Sequence, residues 1–279
     1  MSVDRLAIMG YRGHEQWRDM SDYLVHFTKP IPKNEIGEPP PPQAREGRLT
    51  RDELVARLEF EGRRDRTGYP PWIKILGFGR LRPGRKPLGL GRAIPDLFER
   101  HRVVCFSEIP LDMLDRLIWR RSLDGIGFRK DFLLARGGAP LWYLDKDSEQ
   151  GRLVYQLMLA KRRDGIDPDD PFWQLSPFID NPGNYPTGEY RFEWEREWRV
   201  VGELEFEPED VSFLFLPEAD HARARQFFSD LKLAHTGPAY ECACIDPRWD
   251  MERIQEALAN VPQAPPPSPG VGPWWAESM

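Results

Sequence analysis

The sequence predicts an α+β fold in one domain, and three observations carry that prediction. Short β-branched and aromatic runs are mixed with helix-period segments, without the strand–helix–strand rhythm of a doubly wound parallel sheet. The chain has 279 residues, 40% hydrophobic and 12% aromatic, which suffices for one sizeable core. No internal repeat or domain boundary divides it, so one domain is assigned to residues 21–260. The Pro- and Gly-rich stretch 261–279 reads as a disordered tail.

In chain order, Tyr23–Thr28 reads as a strand that Pro30 and Pro32 end, and Pro39–Pro42 as a stiff extended loop. Thr50-Arg51-Asp52-Glu53 is a capping box that starts a helix with Leu54, Val55 and Leu58 on one face. Residues 62–91 are rich in Gly, Pro and Arg around a short apolar patch at Trp72–Leu76. They read as a mobile basic loop, substrate-facing or a plain surface insertion. His101–Ser107 is a strand candidate. Pro110 then suits the first turn of a helix carrying Leu111, Leu114, Leu117 and Ile118. Gly125–Phe128 and Pro140–Leu144 read as strands, and Lys130–Arg136 as a helical turn or two stopped by Gly137-Gly138. An amphipathic helix over Arg152–Arg162 places Leu153, Val154, Leu157 and Met158 on its apolar stripe. Residues 167–171 and 181–187 read as turn-rich linkers. Val211–Leu216, a helix over Asp220–Leu233, a strand over Ala239–Ile245 and a helix over Arg248–Ala259 complete the domain.

Between these lies the stretch Phe192–Gly202 and its continuation to Phe206. Read at a period of two, it is one long strand. Trp194, Trp198, Val200, Leu204 and Phe206 fall on one face, and Glu193, Glu195, Glu197, Arg199 and Val201 on the other. Carboxylates two residues apart sit roughly 7 Å from each other, so they repel unless cations or water screen them. This face is either a solvated acidic surface or, with Arg199 in the same row, a functional site.

Composition excludes several classes. A net charge of −6 speaks against broad nucleic-acid binding while leaving room for a local basic patch, for which residues 63–92 are the candidate. No apolar run approaches the roughly 20 residues of a membrane helix. Three cysteines without a secretion signal point to a reducing cytoplasm, and Cys242-x-Cys244 reads as two strand thiols rather than half a zinc site. With five histidines and no His-Glu-x-x-His or Gly-x-Ser-x-Gly motif, no metal site is assigned.

His26-Phe27-Thr28, Cys105–Pro110, Gly125–Lys130, Pro140–Tyr143 and Glu195-Arg196-Glu197-Trp198-Arg199 occur in an order that resembles the AbiGi abortive-infection family of bacterial phage-resistance proteins. That resemblance implies an antitoxin-like role in phage exclusion, with a partner toxin or antitoxin protein. The block order is also similar to that of ADP-ribosyltransferases, which implies a split, mostly antiparallel β-sheet flanked by helices, NAD as cofactor and a macromolecular acceptor. On that resemblance His26 would hold the NAD ribose, Ser107 would line the nicotinamide side and Tyr143 would cover it. Glu197 would be the catalytic acid and Glu195 would orient the acceptor. Arg199 belongs either to the cofactor site or to a structural ion-pair network. The alternative to a transferase is a non-catalytic module that masks a partner toxin.

Overall fold

β1 (Tyr23–Phe27) runs through the middle of a seven-stranded sheet of order β13–β12–β4–β1–β3–β10–β5 in the computed structural model of the chain. The structure describes residues 22–28, 71–108, 114, 118, 121–186, 188–233 and 240–260. The Pro39–Pro42 loop, the capping box at Thr50 and the tail 261–279 lie outside these residues. The other strands of the sheet are β3 (Val103–Glu108), β4 (Gly125–Arg129), β5 (Ala139–Pro140), β10 (Glu197–Val201), β12 (Val211–Phe215) and β13 (Ala243–Ile245). Every pairing is antiparallel except that of β12 with β13. The α+β expectation and the mostly antiparallel sheet are thereby met. Pro140 sits on the edge strand β5, where a missing N–H breaks no interior ladder.

Alternation along the strands separates two cores. Leu24, Phe106, Ile126, Phe128, Trp198 and Val200 face one side. There they pack against α1 (Pro71–Phe78) and α5 (His221–Leu233) through Trp72, Ile73, Leu76, Ala224 and Phe227. Val25, Phe213 and Phe215 face the other side with Leu114 and with Ile254 of α6 (Met251–Ala259). Leu114 and Ile118, expected on one helix face, are both helical and join this second core.

Four sequence expectations are corrected. The apolar patch at Trp72–Leu76 is no mobile loop. It forms α1, with Trp72, Ile73 and Leu76 almost wholly buried, because the helical period puts positions i, i+1 and i+4 within one apolar stripe about 100° wide. The strand expected over 192–206 is broken. Glu193–Glu195 is a 3₁₀ turn, Arg196 is left-handed (φ 44°, ψ 55°), and β10 begins at Glu197. Gly202 (φ 79°) ends it, and β11 (Leu204–Glu205) turns away to pair with β2 (Arg80–Leu81). Residues 140–144 form not one strand but two, β5 in the main sheet and β6 (Trp142–Tyr143), which pairs in parallel with β7 (Ile179–Asp180). The supposed linker 181–187 contains β8 (Gly183–Tyr185), hairpinned to β9 (Gly188–Tyr190).

α2 (Lys130–Ala135) follows β4 directly and buries Leu133. α3 (Glu149–Asp164) is longer than expected because Ser148 caps it, accepting the Gly151 N–H. It leaves Leu153 and Leu157 exposed on one side and Tyr155 and Leu159 on another, so only part of the expected apolar stripe is covered by described residues. α4 (Pro171–Leu175) starts at a capping Asp170 and seals Trp173 inside. No helix among the described residues is long and apolar enough to cross a membrane.

Candidate functional site

Antiparallel register puts Glu197 opposite Ser107 and Arg199 opposite Cys105 on adjacent strands β10 and β3. Directly opposed residues point to the same side of a sheet, so these four side chains form one patch. Tyr143 and Asp180 reach it together, being register partners in the β6–β7 ribbon. The Glu197 N–H donates to the Tyr143 hydroxyl at 3.0 Å, which leaves that hydroxyl its own proton to donate.

Arg199 is the centre of the patch and is 1% exposed. Its Nε donates to Glu197 Oε1 at 2.7 Å and Nη1 to the Pro177 carbonyl at 2.5 Å, while Nη2 lies 3.5 Å from Asp180 Oδ2. Tyr190 donates to the same Asp180 carboxylate. Burial alone would lower the Arg199 guanidinium, but Glu197 and Asp180 outweigh it and hold it above its usual range. Burial pushes the Cys105 thiol far above the ordinary thiol range, and the Glu197 charge adds to this. Burial and the nearby Glu197 and Glu195 carboxylates likewise keep Tyr143 protonated, despite the Glu197 N–H that favours its ionised form. The patch therefore offers hydrogen-bond donors, a carboxylate paired with a guanidinium, and a thiol and a phenol both held in their protonated forms.

Two other predicted residues are placed differently: Glu195 lies beside the patch, near enough for its charge to act on Tyr143, and His26 lies apart from it. Glu195 is 2% exposed in the turn before β10, and Arg121 ion-pairs its carboxylate. Because Arg196 reverses the backbone, Glu195 and Glu197 do not form the expected row on one strand. His26 stands opposite Ile126 across β1 and β4, whereas Ser107 stands opposite Val25. Its side chain therefore lies on the opposite sheet face from Ser107 and Glu197. There its Nδ1 meets the Cys105 carbonyl at 2.9 Å and its ring packs edge-on against Phe106. Enclosure lowers its pKa, although the carbonyl bond favours the charged form. It is a half-buried histidine held by the Cys105 carbonyl on the face away from the patch. The alternation that places His26 and Phe27 on opposite faces was readable in the sequence; the register that matches Val25 to Ser107 was not.

Sequence reasoning missed two further polar clusters. Glu108 accepts from Trp198 Nε1 at 2.9 Å and from Lys130 Nζ at 2.8 Å on the face shared with His26. His101, fully buried, links the Leu88 carbonyl (2.5 Å from Nδ1) to the Ser176 hydroxyl (3.0 Å from Nε2). Burial, and beyond it the cations Arg199, Arg100 and Arg92, lower His101. A neutral ring donates from Nδ1 to Leu88, while Nε2 lies beside the Ser176 hydroxyl, which donates to the Trp173 carbonyl at 2.8 Å.

A third group lines an open cleft of about 500 Å³ that includes Arg92, Lys146, Tyr155, Arg162, Asn181 and Tyr185. Only Arg92 lies in the basic stretch marked in the sequence. The others are spread over 40 positions and meet only through α3 and the β7–β8 turn. No protein-family model, curated protein or solved structure matches this chain.

Proposed function

We propose that the chain is a phage-defence protein of the abortive-infection type that acts as a binding module, masking a partner toxin, rather than as an ADP-ribosyltransferase. The order of its five sequence blocks supports the defence assignment. What supports the non-catalytic reading is a single observation: the carboxylate cast as catalytic acid, Glu197, is held at 2.7 Å by the buried Arg199 guanidinium. A carboxylate whose charge is already matched by a guanidinium adds little stabilisation to a developing cation. His26, on the far sheet face, is out of position to bind a ribose beside Glu197.

One observation favours the transferase as a second reading. Ser107, Tyr143 and Glu197 do converge, and the Glu197 side chain keeps 13% of its exposure. On that reading the antiparallel sheet is an ADP-ribosyltransferase-like scaffold, and NAD would approach over Ser107.

Nicotinamide release from millimolar NAD, followed chromatographically for the wild type and Glu197→Gln, separates the two. The binding-module reading expects no release by either protein. Release by the wild type that Glu197→Gln abolishes overturns it. The defence role is read from plaque counts on cells expressing the chain with its neighbouring genes. Counts equal to those on cells without it overturn that assignment.

A further inference from the structure

The cleft beside α3 combines features of a ligand site that the Glu197 patch lacks. Three cations face it, Arg92, Lys146 and Arg162, and no carboxylate is among its lining residues. Lys146 is already shared with the exposed Asp147 carboxylate at 2.7 Å. Arg92 makes only a long 3.4 Å contact to the Gly89 carbonyl, and neither it nor Arg162 has a carboxylate partner among the described residues. Two exposed tyrosines complete the walls. Tyr185 is fixed, its hydroxyl donating to the Asn181 carbonyl at 2.7 Å and its ring lying 5.5 Å from the Lys146 ammonium.

The opposite wall is built in advance. The Leu90 N–H is shared between the Ser176 and Ile179 carbonyls, both at 2.9 Å. Gly89 (φ 89°) approaches so closely that a Cβ there would lie 2.6 Å from the Ser176 oxygen. The buried His101 ties Leu88 to the same Ser176. A wall pinned at four points loses little entropy when a ligand seats against it.

Unpaired guanidinium groups recognise phosphate oxygens bidentately, and tyrosine faces stack on bases. The cleft volume of about 500 Å³ falls within the range of small-ligand sites, roughly 300–1,000 Å³. A nucleic-acid strand needs a cationic track along many phosphates; here three cations converge on one bounded cleft, in a chain of net charge −6. We propose that this cleft binds a nucleotide, with its phosphates on Arg92, Arg162 and Lys146 and its base stacked between Tyr155 and Tyr185. The site shares no residue with the Glu197 patch and stands whether or not that patch is catalytic.

The test is calorimetric titration of the full chain with ADP, with inorganic pyrophosphate and with a short single-stranded oligonucleotide. ADP carries no nicotinamide, so the outcome is independent of NAD turnover. The expected result is ADP binding that weakens as salt is raised. Arg92→Ala or Arg162→Ala should each lower affinity for ADP and pyrophosphate about tenfold, as loss of a charged hydrogen bond does. Tyr155→Ala should weaken ADP several-fold and leave pyrophosphate unchanged. All three side chains are exposed, so unchanged thermal unfolding of the variants confirms that the comparison reads binding. Absence of ADP binding at millimolar concentration overturns the proposal. So does ADP binding that neither arginine variant alters, or oligonucleotide binding that ADP does not displace.

Discussion

Arg199 holds a full charge at 1% exposure, and what makes that tolerable is the pair of carboxylates and the carbonyl that take its donors. An ion pair of this kind is weak evidence of net stabilisation, but removing one member leaves the others buried and uncompensated. Arg199→Met should therefore cost about 3–5 kcal/mol, measured as a lowered urea midpoint. Adding Glu197→Gln to it should recover part of the loss, since it removes one stranded charge. A double variant no more stable than Arg199→Met alone would show that Glu197 finds another partner. Period-two alternation in the sequence does put Glu197 and Arg199 in one row. It says nothing of Pro177, in the 3₁₀ turn Ser176–Phe178, or of Asp180 in β7, which decide that this row is buried.

At the scale of elements, β4 depends on having no side chain where residues of its neighbours β12 and β1 press against it. A Cβ on Gly127 would lie 2.4 Å from the Phe213 ring, and one on Gly125 would lie 2.7 Å from Val25. Gly127→Ala should destabilise the sheet by about 1–3 kcal/mol through overpacking. The thermal midpoint should fall by several degrees, and Phe213→Leu in the same chain should restore part of it. An unchanged midpoint would mean that the ring can swing aside freely. The Gly-Ile-Gly-Phe pattern reads as a strand from sequence, and it is one. The elements that sequence alone obscured are those whose ends are set by tertiary partners. Trp72–Leu76 is too short and too flanked by Gly, Pro and Arg to show a helical period, yet the core closes over it. Arg196 gives no local warning of its left-handed backbone; the break follows from Glu195 turning inward to Arg121. The cleft was invisible for a different reason, because its cations lie far apart in sequence and only the fold of α3 onto the 89–94 turn collects them.

For the molecule as a whole, buried titratable groups set how stability follows pH between about 4 and 6.5. His26 and His101 are both held below the ordinary value of 6.5, chiefly by burial. As pH falls through 6.5 the unfolded chain takes up protons that the folded chain refuses, so both histidines make stability fall on acidification. Asp124 acts in the opposite sense. Burial, then the Asp220 charge, raise it from 3.8 to about 6. The folded chain therefore binds its proton first, and the stability this gives is fully present below 3.8 and lost as pH rises through about 6. Asp124 thus offsets part of the histidine slope. Asp124→Asn should be more stable than the wild type at pH 7, where the native carboxylate is ionised at a cost. The advantage should shrink steadily and vanish near pH 4. The variant's unfolding free energy should accordingly fall more steeply with acid than that of the wild type across this window. Below it, Asp246 adds its own acid loss. Burial alone would raise Asp246, but Arg248 and the Arg248 and Glu218 backbone N–H groups hold it at about 2, so its contribution disappears as pH drops from 3.8 toward 2. Urea titrations of both proteins at half-unit intervals from pH 7.5 to 3.5 test the argument. Parallel curves would show that Asp124 titrates alike in the folded and unfolded chain, and would remove the counterweight to the histidines.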